Sequence, residues 1–288
     1  MDLMAGNDDV RPKAVDLLRR ALAVLPAQVC GRPRVRADAG YFDAALAKGA
    51  VELGCDFAIA AKRNSAAWRA LSAIPDTDWQ DARDMTGAQV AACPYAPAGW
   101  PDGTYTLVRR VKISATEIST DPRSRRRRTV DKAQLALALS GAADHAWAVS
   151  FIVTNIPANY GDLIGLEAWF RNRTAIEERF REAKHGGGLN HLPSADSAVN
   201  ALWTWAGLLA GALSVMLQSL TGLDTQAHAP GRLRIATLRH QLLTIPGKVT
   251  SHAREHVLRL QRRQRLLAKV LARLRALPAP TCLRGSGR

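Results

Sequence analysis

Apolar residues along this chain recur with two periods, and each period predicts a different element. Over residues 11–25, Val15, Leu17, Leu18, Ala21, Leu22 and Leu25 keep helical spacing until Pro26 stops the run. The stretch Arg34-Val-Arg-Ala-Asp38 alternates and then meets Gly40. It predicts a short strand that delivers Asp38 at its C-terminal end. A helix over residues 41–53 closed by Gly54, and a buried strand over residues 56–61, come next. Strand, helix and strand in about 28 residues predict a parallel βαβ-like unit.

From residue 64 to about residue 143 the pattern changes. Turn residues cluster over 94–103, a strand is expected over 105–113, and a basic loop is centred on Arg123-Ser-Arg-Arg-Arg-Arg128. A buried strand is expected over 146–156. A charged helix over 163–184 is ended by Gly186, Gly187 and Gly188. Residues 195–220 predict an apolar helix and residues 232–243 a short basic one. A long helix is expected over 252–277, with Leu260, Leu267, Val270, Leu271 and Leu274 on one stripe. No internal repeat is visible.

Composition narrows the class. With 47% hydrophobic residues in 288, the chain is not disordered. Cys30, Cys55, Cys93 and Cys282 form no Cys-x-x-Cys pair, so neither a zinc site nor a disulfide framework is suggested. The N-terminus carries no basic region followed by an apolar run, so no signal peptide is read there. The apolar helix is long enough for a membrane span, but Thr204, Ser214, Gln218 and Ser219 favour a buried core helix.

Charge is uneven. Of a net +15, residues 229–288 hold fourteen Lys or Arg against the single acid Glu255, a balance of +13 that leaves about +2 for the rest. A basic tail on a nearly neutral body points to a polyanion, nucleic acid first. A solubilising tail or an anionic membrane surface would call for the same composition.

The stretch Phe170-Arg-Asn-Arg-Thr-Ala-Ile-Glu-Glu-Arg-Phe-Arg-Glu-Ala-Lys184 carries the candidate chemistry. Phe170, Arg173, Glu177 and Lys184 stand three, four and seven residues apart. At roughly 100° per residue, a helix brings them within about 60° of one another. Arg181 joins that stripe, whereas Arg171 and Arg179 point elsewhere. One carboxylate among cations suits a metal ion held against a phosphodiester. A solvated helix with ordinary pairs such as Arg173–Glu177 would look the same.

This stretch resembles the Tyr-x2-Arg-x3-Glu-x6-Lys element of DDE-type bacterial insertion-sequence transposases, with Phe170 in the tyrosine position. Lys184-His-Gly-Gly-Gly-Leu-Asn-His-Leu-Pro-Ser194 and Val199-Asn-Ala-Leu-Trp-Thr-Trp205 are similar to one branch of that group. Val35-Arg-Ala-Asp-Ala-Gly-Tyr-Phe42 resembles its second-aspartate segment, where an aspartate closes a strand before Gly and an aromatic residue. The resemblance spans roughly residues 34–220, interrupted by the 64–143 region.

The resemblance implies an α/β fold with an RNase H-like core, incomplete at the N-terminus. Residues 1–33 would be an N-terminal remnant, 34–63 and 144–222 the two parts of the core, 64–143 a mostly β insertion, and 229–288 a basic helical C-terminal region. Asp38 and Glu177 would coordinate Mg²⁺ in a two-metal site. Arg173 and Lys184 would contact the DNA backbone, with Phe170 and Arg181 also facing DNA. Such enzymes cut at terminal inverted repeats with activated water, and the freed 3′-hydroxyl attacks target DNA. The implied partner is DNA, with room for a homodimer in a synaptic complex. The implied location is the cytoplasm, at the nucleoid, without a membrane.

The triad of this family needs a third carboxylate on a strand upstream of the second aspartate. Only 37 residues precede Asp38. Asp2, Asp8 and Asp9 lie in a polar stretch, and Asp16 lies in a helical one. The expectation is an N-terminally truncated transposase with little or no catalysis alone. A DNA-binding remnant that inhibits transposition is the alternative, and a complete nuclease of another family is a third. Arg125 to Arg128, His185, His191, Trp203 and Trp205 stay outside the expected site, with at least one of the tryptophans expected in the core.

Overall fold

The computed structural model describes residues 8–26, 31–124, 127–157, 163–223, 233–252, 255–260 and 264–278, the side chains of residues 174, 175 and 252 excepted. The chain divides into two compact units, residues 5–174 and 175–288.

In the first unit, helix α1 (Ala14–Ala23) precedes strand β1 (Arg34–Ala37), helix α2 (Ala44–Glu52) and strand β2 (Asp56–Ala60). Asp43 caps α2, its carboxylate accepting the Ala45 N–H at 2.8 Å. Gly49 lets α1 and α2 close on one another, since a Cβ there would stand 2.7 Å from Cγ1 of Val15. Strands β1 and β2 run parallel, with Val35 opposite Phe57 and Ala37 opposite Ile59. The expected βαβ unit is present.

Helix α3 (Ser65–Ser72), strands β3 (Gln80–Asp81), β4 (Ala88–Cys93) and β5 (Tyr105–Ser114), helix α4 (Lys132–Leu139), strand β6 (His145–Thr154) and helix α5 (Leu163–Arg171) complete this unit. One six-stranded mixed sheet results, in the order β1-β2-β6-β5-β4-β3. The strands of the 64–143 region extend this sheet rather than making one of their own.

Alternation sorts the core onto two faces. Phe57, Ile59 and Val153 point to the side covered by α1 and α2, through Ala14, Leu46, Ala47 and Ala50. Val108, Val149 and Phe151 continue that side under α3, through Ala67 and Trp68. Ala58, Val90, Leu107 and Ile152 point the other way, onto Leu166 and Phe170 of α5. Burying one such side chain is worth about 1.5–3 kcal/mol. Cys55 and Cys93 are buried free thiols.

The second unit contains most of helix α6 (Thr174–Arg181), helices α7 (Ser197–Thr221) and α8 (Ile235–Leu242), strands β7 (Gly247–His252) and β8 (Glu255–Leu260), and helix α9 (Arg265–Arg275). Leu223, Leu238, Leu242 and Val270 form its small core. Gln218, buried on α7, bonds both backbone groups of Leu233: its Nε2 donates to the carbonyl at 3.1 Å and its Oε1 accepts the N–H at 2.6 Å.

Instead of one helix over 252–277, the chain pairs β7 with β8, and the next described helix begins at Arg265. Val249, Thr250 and Val257 are β-branched residues in short alternating runs, which favour pairing over a helix. Helix α7 falls within two residues of the expected 195–220 but is not a buried core helix. Leu202 is 72% exposed, Leu209 60% and Met216 56%, and Trp203 and Trp205 are both exposed. Its buried positions are Asn200, Gly207, Gln218 and Thr221, with Leu189 against Gly207 and Leu217 packed on the α8–α9 cluster. By length and composition alone, α7 could cross a membrane.

Candidate active site

Asp38 follows β1 directly, at the C-terminal end of the parallel pair, where open α/β sheets place ligand-binding groups. It is exposed, and its Oδ1 accepts the Gly40 N–H at 2.9 Å. That bond opens a single 3₁₀ turn over Ala39–Tyr41 and fixes the carboxylate at the strand end.

Two residues earlier, Arg36 reaches from β1 to α5. Its guanidinium stands 4.8 Å from the centre of the Trp169 ring and donates to the Trp169 carbonyl. Burial lowers the pKa of Arg36, and the nearby positive charge of Arg173 lowers it further. The strand that carries Asp38 and the end of α5 near Arg173 therefore belong to one packed region.

The anchor of α5 is Glu167, which is fully buried. Its Oε1 accepts from Nη1 of Arg109 at 2.7 Å and from Nε of Arg171 at 3.3 Å. Arg171 also donates to the Arg83 carbonyl. Arg36, Trp169 and Glu167 were not singled out by the sequence. The available signals were an arginine two positions before Asp38 and a Glu167–Arg171 spacing of four.

The expected helix over 163–184 is not continuous. It ends at Arg171, turns at Asn172 and Arg173, and restarts as α6 at Thr174. The Arg173 N–H bonds the Phe170 carbonyl at 3.0 Å, a tight i−3 closure. Asn and Thr compete for backbone bonds and weaken a helix at this point. The motif is consequently split, with Phe170 on α5, Arg173 in the turn, Glu177 on α6 and Lys184 beyond it.

Their placements differ. Phe170, expected against DNA, is instead 9% exposed in the cluster with Val90, Leu107 and Leu166, so its ring serves the core. Glu177 is exposed on α6. Arg181 pairs with Glu178 one turn back, the ordinary surface ion pair of a charged helix. Lys184 is exposed in a wide turn over Glu182–Gly186, where the Gly187 N–H bonds the Glu182 carbonyl at 3.0 Å. Oε2 of Glu182 accepts the Ile235 N–H at 2.7 Å and so fixes the start of α8. Asp38, Phe170 and Arg173 fall in the first unit, and Glu177, Arg181 and Lys184 in the second.

A two-metal centre needs several acids around ions about 3.5–4 Å apart. Among the described residues, no three His, Cys, Asp or Glu side chains gather in a way that could hold a metal. The described side chains of either unit do not by themselves fit a magnesium centre. In the basic loop, Arg127 donates to the Thr120 carbonyl at 2.8 Å and Arg128 to the Arg123 carbonyl at 3.1 Å, so both close the loop. Residues 125 and 126 lie outside the described residues.

The family described as Transposase DDE domain group 1 matches residues 1–279. A search of curated proteins and a search of solved structures each return no match. The family match takes in the mixed α/β sheet, the aspartate at its strand end and the Arg173–Glu177–Lys184 segment together, and the chain belongs to the DDE-domain transposase family.

Proposed function

We propose that this chain acts on DNA in transposition, with Asp38 and Glu177 as carboxylates that serve Mg²⁺. Arg173, Arg181 and Lys184 are the cations that hold DNA phosphates. The family match over residues 1–279 carries this reading, supported by the position of Asp38 at the end of a parallel strand pair. Transposases of this family act on DNA and use a divalent metal. A divalent metal held by Asp38 and Glu177 would supply Lewis-acid polarisation of the phosphodiester and the attacking water. Lys and Arg neutralise phosphate charge and release counterions. The substrates are terminal inverted repeats and target DNA, paired by a homodimer in a synaptic complex.

A non-catalytic reading has its own support. One oxygen of Asp38 is held by the Gly40 N–H, and the motif is interrupted between Phe170 and Glu177. On this reading the chain binds element ends without cutting them and inhibits an active transposase. One assay separates the two. The chain is incubated with a supercoiled plasmid carrying the DNA that flanks its gene, with Mg²⁺ or with EDTA. Mg²⁺-dependent nicking that is lost in Glu177→Gln supports catalysis. Salt-sensitive binding without nicking supports the inhibitor, and neither binding nor nicking overturns both.

A further inference from the structure

The β7–β8 ribbon presents two unlike faces. Its register sets Lys248 opposite Arg259, Thr250 opposite Val257 and His252 opposite Glu255. By strand alternation Lys248–Arg259 and Thr250–Val257 share one face, while Val249–Leu258, Gly247–Leu260 and Ser251–His256 share the other. On that second face, Oγ of Ser251 and Nδ1 of His256 are 2.7 Å apart, which ties the two strands together. Lys248 and every residue of β8 are exposed.

The Lys248–Arg259 rung is unusual. Like charges directly opposite one another repel and destabilise a strand pair. The acid of the ribbon, Glu255, sits opposite His252 at the far end and does not relieve them. More positive charge stands on the flanking helices, with Arg234 and Arg239 before the ribbon and Arg265, Lys269, Arg273 and Arg275 after it. A repulsive rung in so basic a region relaxes when a polyanion stands over it. A two-stranded ribbon is also one of the two elements that the major groove of B-DNA, about 12 Å wide, admits.

We propose that the β7–β8 ribbon is a duplex-DNA-binding element, with Lys248 and Arg259 set against backbone phosphates. This rests on the reading of the chain as a DNA-acting protein, but it assigns the contact to a surface that contains neither Asp38 nor Glu177. The contact is with phosphates and so is independent of base sequence.

The test measures binding of the full chain to a short fluorescent duplex of mixed sequence across a salt series. Each phosphate contact contributes about 0.9 to the slope of log affinity against log salt, so Lys248→Ala with Arg259→Ala is expected to reduce the slope by about 2. As a control, Arg19→Ala with Arg20→Ala removes the same charge from exposed positions on α1 and leaves the slope unchanged. Lys248→Glu creates a favourable cross-strand pair with Arg259, so the ribbon gains stability while DNA affinity falls. That variant separates binding from folding. Equal slopes for both double variants, or wild-type affinity in the ribbon variant, overturn the ribbon alone. Absence of binding by the wild-type chain overturns the DNA reading with it. Ribbon-dependent binding that favours phosphatidylserine vesicles over the duplex also overturns the proposal.

Discussion

Nη1 of Arg109 on β5 lies 2.7 Å from Oε1 of Glu167 on α5, and that carboxylate is sealed from solvent. Arg109 pins α5 to the sheet through this acid, and Arg171, one turn on in the same helix, adds a second cation to it. Nε of Arg109 is buried without a partner, so this network already carries a desolvation cost. Removing one member of a buried ion pair costs about 3–5 kcal/mol, because the other charge stays buried. Glu167→Gln is expected to lose about 3 kcal/mol or more in urea unfolding. An unchanged midpoint would contradict the anchoring role.

Gly49 and Val15 test the contact between α1 and α2. A Cβ at residue 49 would meet both γ-carbons of Val15, at 2.7 and 2.8 Å. Alanine gains about 1 kcal/mol of helix propensity, but overpacking costs about 1–3 kcal/mol. Gly49→Ala is expected to show a net loss of up to about 2 kcal/mol, and adding Val15→Ala should recover most of it. A double-mutant cycle reads the coupling directly.

Tyr105 makes stability depend on alkaline pH. Its hydroxyl donates to the Ile156 carbonyl at 2.8 Å, and burial raises its pKa from the ordinary value of 10 to about 12. The folded state therefore holds this proton more tightly than the unfolded state does. The contribution is complete below pH 10 and is lost as pH rises towards 12, a change of roughly 2–3 kcal/mol. Thermal melts across that range should show the loss in the native chain and not in Tyr105→Phe.

Asp38 can be divided into a structural and a chemical part. Asp38→Asn keeps an oxygen for the Gly40 N–H and should stay within about 0.5 kcal/mol of the parent, whereas Asp38→Ala should lose about 1 kcal/mol. If the carboxylate serves a metal, both variants lose Mg²⁺-dependent DNA chemistry equally. Retained chemistry in Asp38→Asn would leave Asp38 a turn cap only.

Much of the sheet was legible because its signals are local. The alternation of residues 34–38, Gly54 after α2 and the apolar run of β6 each mark an element within a few residues. Long-range pairings were not legible. Glu167 looks like a solvated helix position until Arg109, 58 residues earlier, is placed beside it. The same spacing that aligned Phe170, Arg173, Glu177 and Lys184 on an ideal helix could not reveal a turn at Asn172 and Arg173. Nor could it show that the Phe170 ring faces Leu107 rather than solvent. At the C-terminal end, leucine spacing over 260–274 suggested one helix, while the pairing of Val249 with Leu258 depended on a partner strand.

The most direct test of the central claim is metal-directed backbone cleavage, which needs no DNA-cutting activity. Fe²⁺ is exchanged for Mg²⁺ in the full chain, and ascorbate with peroxide then generates radicals at the bound ion. Cuts are expected beside residues 38 and 177, suppressed by excess Mg²⁺, with each cut lost when its own acid is changed in Asp38→Asn or Glu177→Gln. Cuts elsewhere, or cuts at these positions that persist in both variants, would contradict the assignment of Asp38 and Glu177 to a metal.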